Sequence, residues 1–178
     1  MNHAPSSDIT IVQVRASDAE VLPTQQLDAR CFHDGERTDI AAECSRPFTS
    51  VWAAKEELVS GDARVVGYLV AWHVADELHI LNVATDPEHR RRGIGSRLMD
   101  HAICFAREHG VRLLLLEVRE SNSDALRLYQ SLGFSSIGKR LGYYSDGENA
   151  VNMALSLESD GICVVPTGDV PSDMPSVL

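Results

Sequence analysis

The sequence predicts an α/β protein with one mixed β-sheet and a single crossover helix in its middle. Two observations support this prediction. Short segments with the alternating or continuously apolar pattern of strands are interleaved with segments of helical periodicity. In the middle of the chain, a strand pattern, a long helical pattern and another strand pattern follow one another directly, which is the order of a crossover between parallel strands.

The first half of the chain contains four strand patterns and two helical ones. Residues 9–14 alternate as in a strand, a helical pattern runs over residues 18–31, and Pro23 is a candidate interruption of that helix. A second short helix is predicted over residues 38–44. Three further strands are predicted over residues 48–54, 64–74 and 76–85, and the tight connection Ala75–Asp76 indicates that the last two form a hairpin.

The crossover helix is predicted after the breaker Asp86–Pro87. Residues 93–109 have apolar side chains at helical spacing on one face, and Gly110 is a suitable helix stop. The next segment, residues 112–118, reads RLLLLEV. Four consecutive leucines indicate a strand that is buried on both faces, as in the middle of a sheet.

One helix and two strands complete the predicted sheet. Ser121 or Asn122 can cap the helix, and Gly133 can end it. The last two strands are predicted over residues 135–143 and 150–157, on either side of the turn SDGEN.

Length and composition predict one domain without a nucleic-acid or membrane partner. The 178 residues match one ordinary domain, which we place at residues 9–157, between a flexible N-terminus (1–8) and a disordered, acidic, proline-containing tail (158–178). A net charge of −10 argues against binding to nucleic acid. No signal-peptide pattern occurs, the longest apolar stretch (65–75) is too short to span a bilayer, and the four cysteines show no CxxC spacing. We therefore expect a cytoplasmic protein with reduced thiols and no metal site.

An arginine- and glycine-rich segment precedes the crossover helix. Residues 89–101, HRRRGIGSRLMDH, lack the third glycine of a dinucleotide fingerprint, since Leu98 stands in its place, and they lack the GxxxxGK pattern of a P-loop. A glycine-containing turn at a helix start nevertheless offers unpaired backbone N–H groups and the positive end of the helix dipole. The segment therefore predicts a pyrophosphate-binding turn, and a solvated basic turn is the alternative reading.

Three sequence blocks resemble one known family. The run RRRGIG (90–95) is similar to the acetyl-CoA signature [Q/R]xxGx[G/A] of the GNAT acetyltransferases, and the order of elements is similar to their fold. The blocks NVATDPEHRRRGIGSRLMDH, LEVRESNSDALRLYQSLGF and GYYSDGENAVNMAL resemble, more narrowly, the RimI-type ribosomal-protein alanine N-acetyltransferases. The resemblance covers about residues 9–157. A PWS-like segment of that family is replaced here by CFHDGERTDIAAECSRPF.

The resemblance implies a GNAT acyl-CoA N-acyltransferase fold, in which the mixed sheet is splayed at its centre to admit the arm of acetyl-CoA. The family uses acetyl-CoA as cosubstrate and no metal. Strand backbone groups would contact the pantetheine arm, the arginine–glycine turn would hold the pyrophosphate, and Asn122 would contact the cosubstrate further along. The residues implied in cosubstrate binding are Val83, Ala84, Thr85, Arg90, Arg91, Arg92, Gly93, Ile94, Gly95, Ser96 and Asn122.

Glu117 and Tyr129 are the candidate catalytic residues. Glu117 lies at the end of the most apolar strand, where a carboxylate is costly unless it meets a cavity or a partner. One interpretation is a structural carboxylate that pairs with Arg119 or Arg127. The match of Glu117 to the family's LEVR block implies instead a general base acting through water. Tyr129 alone reads as a half-buried core residue, and its match to the family implies a general acid beside the cosubstrate sulfur.

The resemblance implies acetylation of a protein N-terminal α-amine, namely the N-terminal alanine of a small-subunit ribosomal protein. Tyr143 and Tyr144 could line the acceptor channel, although hairpin packing is an equal alternative. Acidic residues in the segment expected to border the acceptor predict a preference for basic partners; they are Asp34, Glu36, Asp39 and Glu43. The alternatives are a GNAT enzyme acting on a small-molecule amine and a non-catalytic CoA-binding module.

Overall fold

The computed structural model describes residues 9–58 and 60–157. The predicted flexible N-terminus and disordered tail therefore lie outside the described residues. Four α-helices are present among the described residues: α1 (Val21–Cys31), α2 (Ile40–Cys44), α3 (Ile94–Glu108) and α4 (Ser123–Ser131). Seven strands accompany them: β1 (Ile9–Val14), β2 (Thr49–Glu57), β3 (Ala63–Val74), β4 (Glu77–Thr85), β5 (Leu113–Arg119), β6 (Ser135–Arg140) and β7 (Ala150–Ser156).

The mixed sheet and its single crossover confirm the predicted fold class. The strand order is β1-β2-β3-β4-β5-β7-β6, and helix α3 connects the parallel pair β4 and β5. Strand β1 runs antiparallel to β2, and β7 runs antiparallel to both β5 and β6. None of the helices within residues 9–58 and 60–157 is long and apolar enough to span a membrane.

The chain divides into two compact units. The first contains the described residues up to Val70 together with Val83–Met99, and the second contains Ala71–Asn82 together with the described residues from Asp100 onward. In the second unit, the parallel pairing of β4 with β5 ends at Ile80 and Leu116. Because β5 continues to Arg119, its last residues extend beyond the paired region, as expected of a sheet whose central strands separate.

Two expectations about individual elements were wrong. Helix α1 is continuous through Pro23, since this residue is in the first turn, where the missing N–H would have no helical acceptor in any case. Strand β5 is not buried on both faces. Its residues alternate, with Leu114, Leu116 and Val118 buried and Leu113, Leu115 and Arg119 partly exposed.

Gly67, in the middle of β3, allows the start of α3 to pack closely on this strand within the first unit. A Cβ at this position would lie 2.7 Å from Ile94 Cγ2, 3.1 Å from the Ala84 carbonyl oxygen and 3.2 Å from Leu98 Cδ1. Nothing in the strand pattern of RVVGYLVAWHV distinguishes this glycine. It sets the distance between the strand and the helix whose first turn is part of the candidate pyrophosphate site.

We expect Gly67→Ala to destabilise the protein by about 1–3 kcal/mol, because the new methyl group meets a backbone oxygen that cannot move without the strand. Urea denaturation gives the free energy of unfolding. Gly138→Ala is the matched control, because a Cβ at Gly138 would meet nothing within 4 Å. Equal stabilities of the two variants would show that the close packing at Gly67 is not required.

Candidate active site

The arginine–glycine turn links β4 to α3 in the first unit. Arg91 has φ +63° and Gly93 has φ +76°, so both residues adopt the left-handed conformation, and a Cβ at Gly93 would meet nothing within 4 Å. Glycine is therefore favoured at residue 93 by backbone conformation and not by lack of space. Arg90 and Arg91 are exposed on this turn.

Arg92 points back into the first unit. Its Nη2 donates to Glu56 Oε1 at 2.7 Å, and Glu56 is only 6% exposed. The other carboxylate oxygen of Glu56 lies 3.1 Å from His89 Nε2. Arg92 thus anchors the turn to β2 through a buried carboxylate, and the expected pyrophosphate contacts of its side chain would compete with this ion pair.

Asp86 fixes the end of β4 from which the turn departs. Its carboxylate accepts hydrogen bonds from Glu88 N at 3.0 Å and from Arg30 Nη2 at 2.7 Å. Burial by itself would raise the pKa of Asp86, but the hydrogen bonds from Glu88 and His89 and the charge of Arg30 outweigh burial and lower it. The ionised carboxylate therefore connects helix α1 to the turn.

The turn has the features that a pyrophosphate group requires. Helix α3 begins at Ile94, so the N–H groups of its first turn, which includes Gly95 and Ser96, have no helical acceptors. The exposed Arg90 and Arg91 add positive charge. On β4, the neighbouring Ala84 is buried while Val83 and Thr85 are partly exposed. These residues fit the pyrophosphate and pantetheine portions of acetyl-CoA, which they would hold through backbone donors and arginine side chains.

Glu117 lies in the second unit, at the first residue of β5 beyond its pairing with β4. Only 4% of its side chain is exposed, and its Oε1 accepts a hydrogen bond from Arg140 Nη1 at 2.8 Å. Its Oε2 is buried and has no hydrogen-bond partner among the described residues. The carboxylate therefore has one oxygen held by an arginine and one oxygen that no donor among the described residues occupies.

The partner of Glu117 was not found from the sequence. Pairing with Arg119 or Arg127 was the expected structural alternative, and it is wrong. Arg119 instead donates to Asp146 and Glu148, and Arg127 contacts Asp124. The true partner, Arg140, is on β6, two strands away, and the register of the antiparallel strands brings it near.

Tyr129 is the buried residue of α4 and not an edge residue of its apolar face. It is 8% exposed, and burial raises its pKa to about 12. The helix begins at the cap Asn122, whose side-chain oxygen accepts from Ala125 N at 3.1 Å. The side-chain oxygen of Asn122 therefore caps helix α4. The amide nitrogen is the atom that is left for the expected contact with the cosubstrate.

The raised pKa of Tyr129 predicts a loss of stability at alkaline pH. The phenol is neutral in the fold up to a pKa of about 12, whereas in the unfolded chain it ionises near its ordinary value of 10.0. Its contribution to stability is therefore complete below pH 10 and is lost as the pH rises through 12. Between about pH 9 and about pH 11.5, the wild-type protein should lose about 2 kcal/mol more than Tyr129→Phe. Identical pH dependence in both proteins would contradict the assignment.

Tyr143 and Tyr144 lie between β6 and β7 and pack on arginines. Their rings meet edge to face at 5.1 Å, the Arg140 guanidinium lies 4.5 Å from the Tyr143 ring, and that of Arg119 lies 3.9 Å from the Tyr144 ring. The predicted strand over residues 135–143 ends earlier, at Arg140, because Gly142 turns the chain with φ +60°. Tyr143 thus shares Arg140 with Glu117, which favours a place near the candidate base over simple hairpin packing.

Two residues of α1 were missed in the sequence and hold the segment expected to border the acceptor. The buried Asp28 accepts from Thr38 N at 3.2 Å and from Tyr68 Oη at 2.6 Å. Burial raises the pKa of Asp28, and these hydrogen bonds oppose the rise. Gln25 bonds to Thr38 O and Ile40 N, both at 2.8 Å. Both residues read as ordinary polar positions of a helix, so no local signal marks them.

The acidic residues of this segment are partly used within the protein. Asp39 caps α2 by accepting from Ala42 N at 3.0 Å, and Glu43 accepts from Thr49 Oγ1 at 3.1 Å. The adjacent cleft has a volume of about 430 Å³, and its lining includes Arg30, His33 and Arg37. Asp39 and Glu43 thus already accept hydrogen bonds within the protein, so the expected preference for basic partners depends mainly on the other acidic residues of the segment.

Comparison with known proteins gives a consistent result. The family model described as "Acetyltransferase (GNAT) family" matches residues 18–134. The [ribosomal protein bS18]-alanine N-acetyltransferase of Salmonella typhimurium is 39% identical over 102 residues, which are 56% of this chain and 69% of that protein. The crystal structure of the Escherichia coli ribosomal-protein-S18-alanine N-acetyltransferase matches 87% of this chain and 99% of that chain, with 27% identity and a TM-score of 0.71. A nourseothricin acetyltransferase structure matches 84% of this chain and 99% of that chain, with 25% identity and a TM-score of 0.65.

Proposed function

The chain belongs to the GNAT acetyltransferase family, and we propose that it transfers the acetyl group of acetyl-CoA to the free α-amine of a protein N-terminus. The proposed acceptor is the N-terminal alanine of ribosomal protein bS18, by analogy with the relatives named for that activity. The single observation that most supports an acyl transfer to an amine is Glu117 Oε2, a buried carboxylate oxygen without a partner among the described residues.

In the proposed reaction, Glu117 accepts a proton from the acceptor. An α-ammonium group near pKa ~8 is a far better donor to a carboxylate than a lysine near ~10.4, and its neutral fraction at neutral pH is larger by roughly two orders of magnitude. Arg140 holds Oε1 and leaves Oε2 to receive the proton, directly or through one water. Acetyl-CoA, when bound, supplies the thioester carbon that the neutral amine attacks.

Tyr129 would act as a hydrogen-bond donor to the leaving sulfur. Its raised pKa keeps the phenol protonated at neutral pH. Full transfer of its proton to a thiolate of pKa ~8.5 would be uphill by about 3.5 pKa units, or about 5 kcal/mol. We therefore assign stabilisation of the thiolate to Tyr129, while the proton that the sulfur finally carries comes from the acceptor amine or from solvent.

A small-molecule amine is the second candidate acceptor, and the similarity to a nourseothricin acetyltransferase favours it. One assay compares three acceptors: a peptide with free N-terminal alanine, the same peptide with a blocked N-terminus, and nourseothricin. The proposal expects efficient acetylation of the free peptide alone. A higher kcat/KM for nourseothricin would establish the second candidate, and binding of acetyl-CoA without turnover of any amine would indicate a CoA-binding module.

A further inference from the structure

Two buried oxygen atoms without hydrogen-bond partners among the described residues lie on neighbouring strands of the second unit. One is Glu117 Oε2 on β5, and the other is Oδ1 of Asn152 on β7; neither has a donor within the described part of the chain. Asn152 is 5% exposed. The two residues are direct partners in the antiparallel register of β5 and β7. Cross-strand partners project from the same face with Cβ atoms about 4.5–5.5 Å apart, so one small group can reach both oxygens.

The positions around Asn152 carry small side chains or none. Gly138 on β6 pairs with Asn152 from the other side, next to an irregularity of the register, and a Cβ at Gly138 would meet nothing within 4 Å. The β7 residues two positions before and after Asn152 are Ala150 and Ala154, which have small side chains. The row of Glu117, Asn152 and Gly138 therefore combines two buried acceptors with an open neighbouring position.

The chemistry of the two acceptors indicates what they bind. A buried oxygen without a donor is unfavourable, and Arg140 satisfies only Oε1 of Glu117. A group that satisfies both remaining oxygens needs at least two donor hydrogens and is best positively charged beside a carboxylate. A primary ammonium has three N–H donors. Building on the function proposed above, we propose that Asn152 is an amine-positioning residue, whose Oδ1 binds the acceptor's α-amine together with Glu117 Oε2.

This arrangement would orient the amine for attack. Glu117 Oε2 takes one proton from the ammonium, and the remaining amine keeps one N–H hydrogen bond to Asn152 Oδ1. The released lone pair forms the C–N bond with the acetyl carbon, the C–S bond breaks with its electron pair on sulfur, and the amine's surplus proton leaves to the thiolate or to solvent. The amide of Asn152 fixes the rotation of the amine at the moment when its lone pair becomes free.

Asn152 could instead act on Glu117. With its amide turned over, Nδ2 would donate to Glu117 Oε2 and stabilise the ionised carboxylate. Removal of the amide would then disfavour the ionised form of the carboxylate, and the acid limb of the pH profile of kcat/KM would move to higher pH. If Asn152 positions the amine, removal of the amide instead raises the KM for the acceptor peptide.

The experiment uses the full chain and a peptide with free N-terminal alanine. Asn152→Leu, which has similar volume and no acceptor, should raise the peptide KM roughly tenfold to a hundredfold, as expected for a lost hydrogen bond to a charged group. The acid limb of kcat/KM should not move. Met153→Leu, on the opposite face of β7, is the packing control and should leave the peptide KM unchanged. Asn152→Asp keeps an acceptor oxygen and should retain tight peptide binding.

Each other result overturns the inference. An unchanged peptide KM in Asn152→Leu, or a shifted acid limb at constant KM, would show that Asn152 does not hold the amine. If Asn152→Leu failed to fold, loss of peptide affinity in Asn152→Asp would have the same meaning. Absence of any peptide acetylation by the wild-type protein would overturn the proposed function and this inference with it, whereas normal wild-type activity with an unaffected Asn152→Leu would overturn the inference alone.

Discussion

Glu117→Gln is expected to lower kcat by roughly a hundredfold to ten-thousandfold, with little change in the affinity for acetyl-CoA. Glutamine retains the size of the side chain and an oxygen that can accept from Arg140, but it cannot take a proton from the ammonium. The hydrogen bond of Glu117 Oε1 is to Arg140 on β6, and the glutamine can keep it, so cosubstrate binding should survive. Steady-state kinetics across pH, with calorimetry for acetyl-CoA, measure both quantities.

Glu120→Gln is the matched control for this prediction. Glu120 is three residues further along the chain, its side chain is 39% exposed, and it accepts from Lys139 and from Asn149 Nδ2 at 2.9 Å. Its replacement removes the same charge without touching the buried oxygen, so kcat should stay near the wild-type value. A wild-type kcat for Glu117→Gln would leave Glu117 as a structural partner of Arg140 and remove the proposed base.

Gly95→Glu is expected to weaken acetyl-CoA binding by at least roughly tenfold, or about 1.4 kcal/mol, while the fold survives. The substitution places a carboxylate in the first turn of α3, among the N–H groups proposed to hold the pyrophosphate. A glutamate in a first helical turn is favourable for the helix itself, so loss of binding would not reflect unfolding. Calorimetric titration measures the affinity directly.

Gln130→Glu adds the same charge at an exposed position of α4 and serves as its control. Acetyl-CoA affinity should be unchanged in this variant. If Gly95→Glu bound acetyl-CoA as tightly as Gln130→Glu did, the turn would be a solvated basic surface, which was the alternative reading of the sequence.

The order of elements could be predicted from the sequence because each element carries its own periodicity. The apolar face of α3, the stop at Gly110 with φ +71° and the cap Asn122 are local features, and each was found where the pattern placed it. The four continuous leucines of β5 gave a wrong prediction, because burial on both faces is not a local property of a strand. The sequence shows that the residues are apolar. Which of them are exposed depends on the segments that cover each face of the sheet, and the exposure of β5 alternates.

The missed features of the site all depend on contacts between distant segments. Arg140 reaches Glu117, and Asn152 stands opposite it, only because β5, β7 and β6 pair in one particular register. The role of Gly67 depends on the close approach of α3 to β3. The role of Asp28 depends on Thr38, whose backbone N–H donates to its carboxylate. None of these four residues differs locally from an ordinary strand or helix residue, so no pattern within a short window could identify it.

The most direct test of the proposed function locates the acetyl group on one peptide. The peptide begins with a free alanine and contains an internal lysine, and it is incubated with the protein and acetyl-CoA before fragmentation in a mass spectrometer. We predict one acetyl group on the N-terminal alanine and an unmodified lysine. Acetylation of the lysine, or no acetylation of the peptide while acetyl-CoA binds normally, would contradict it.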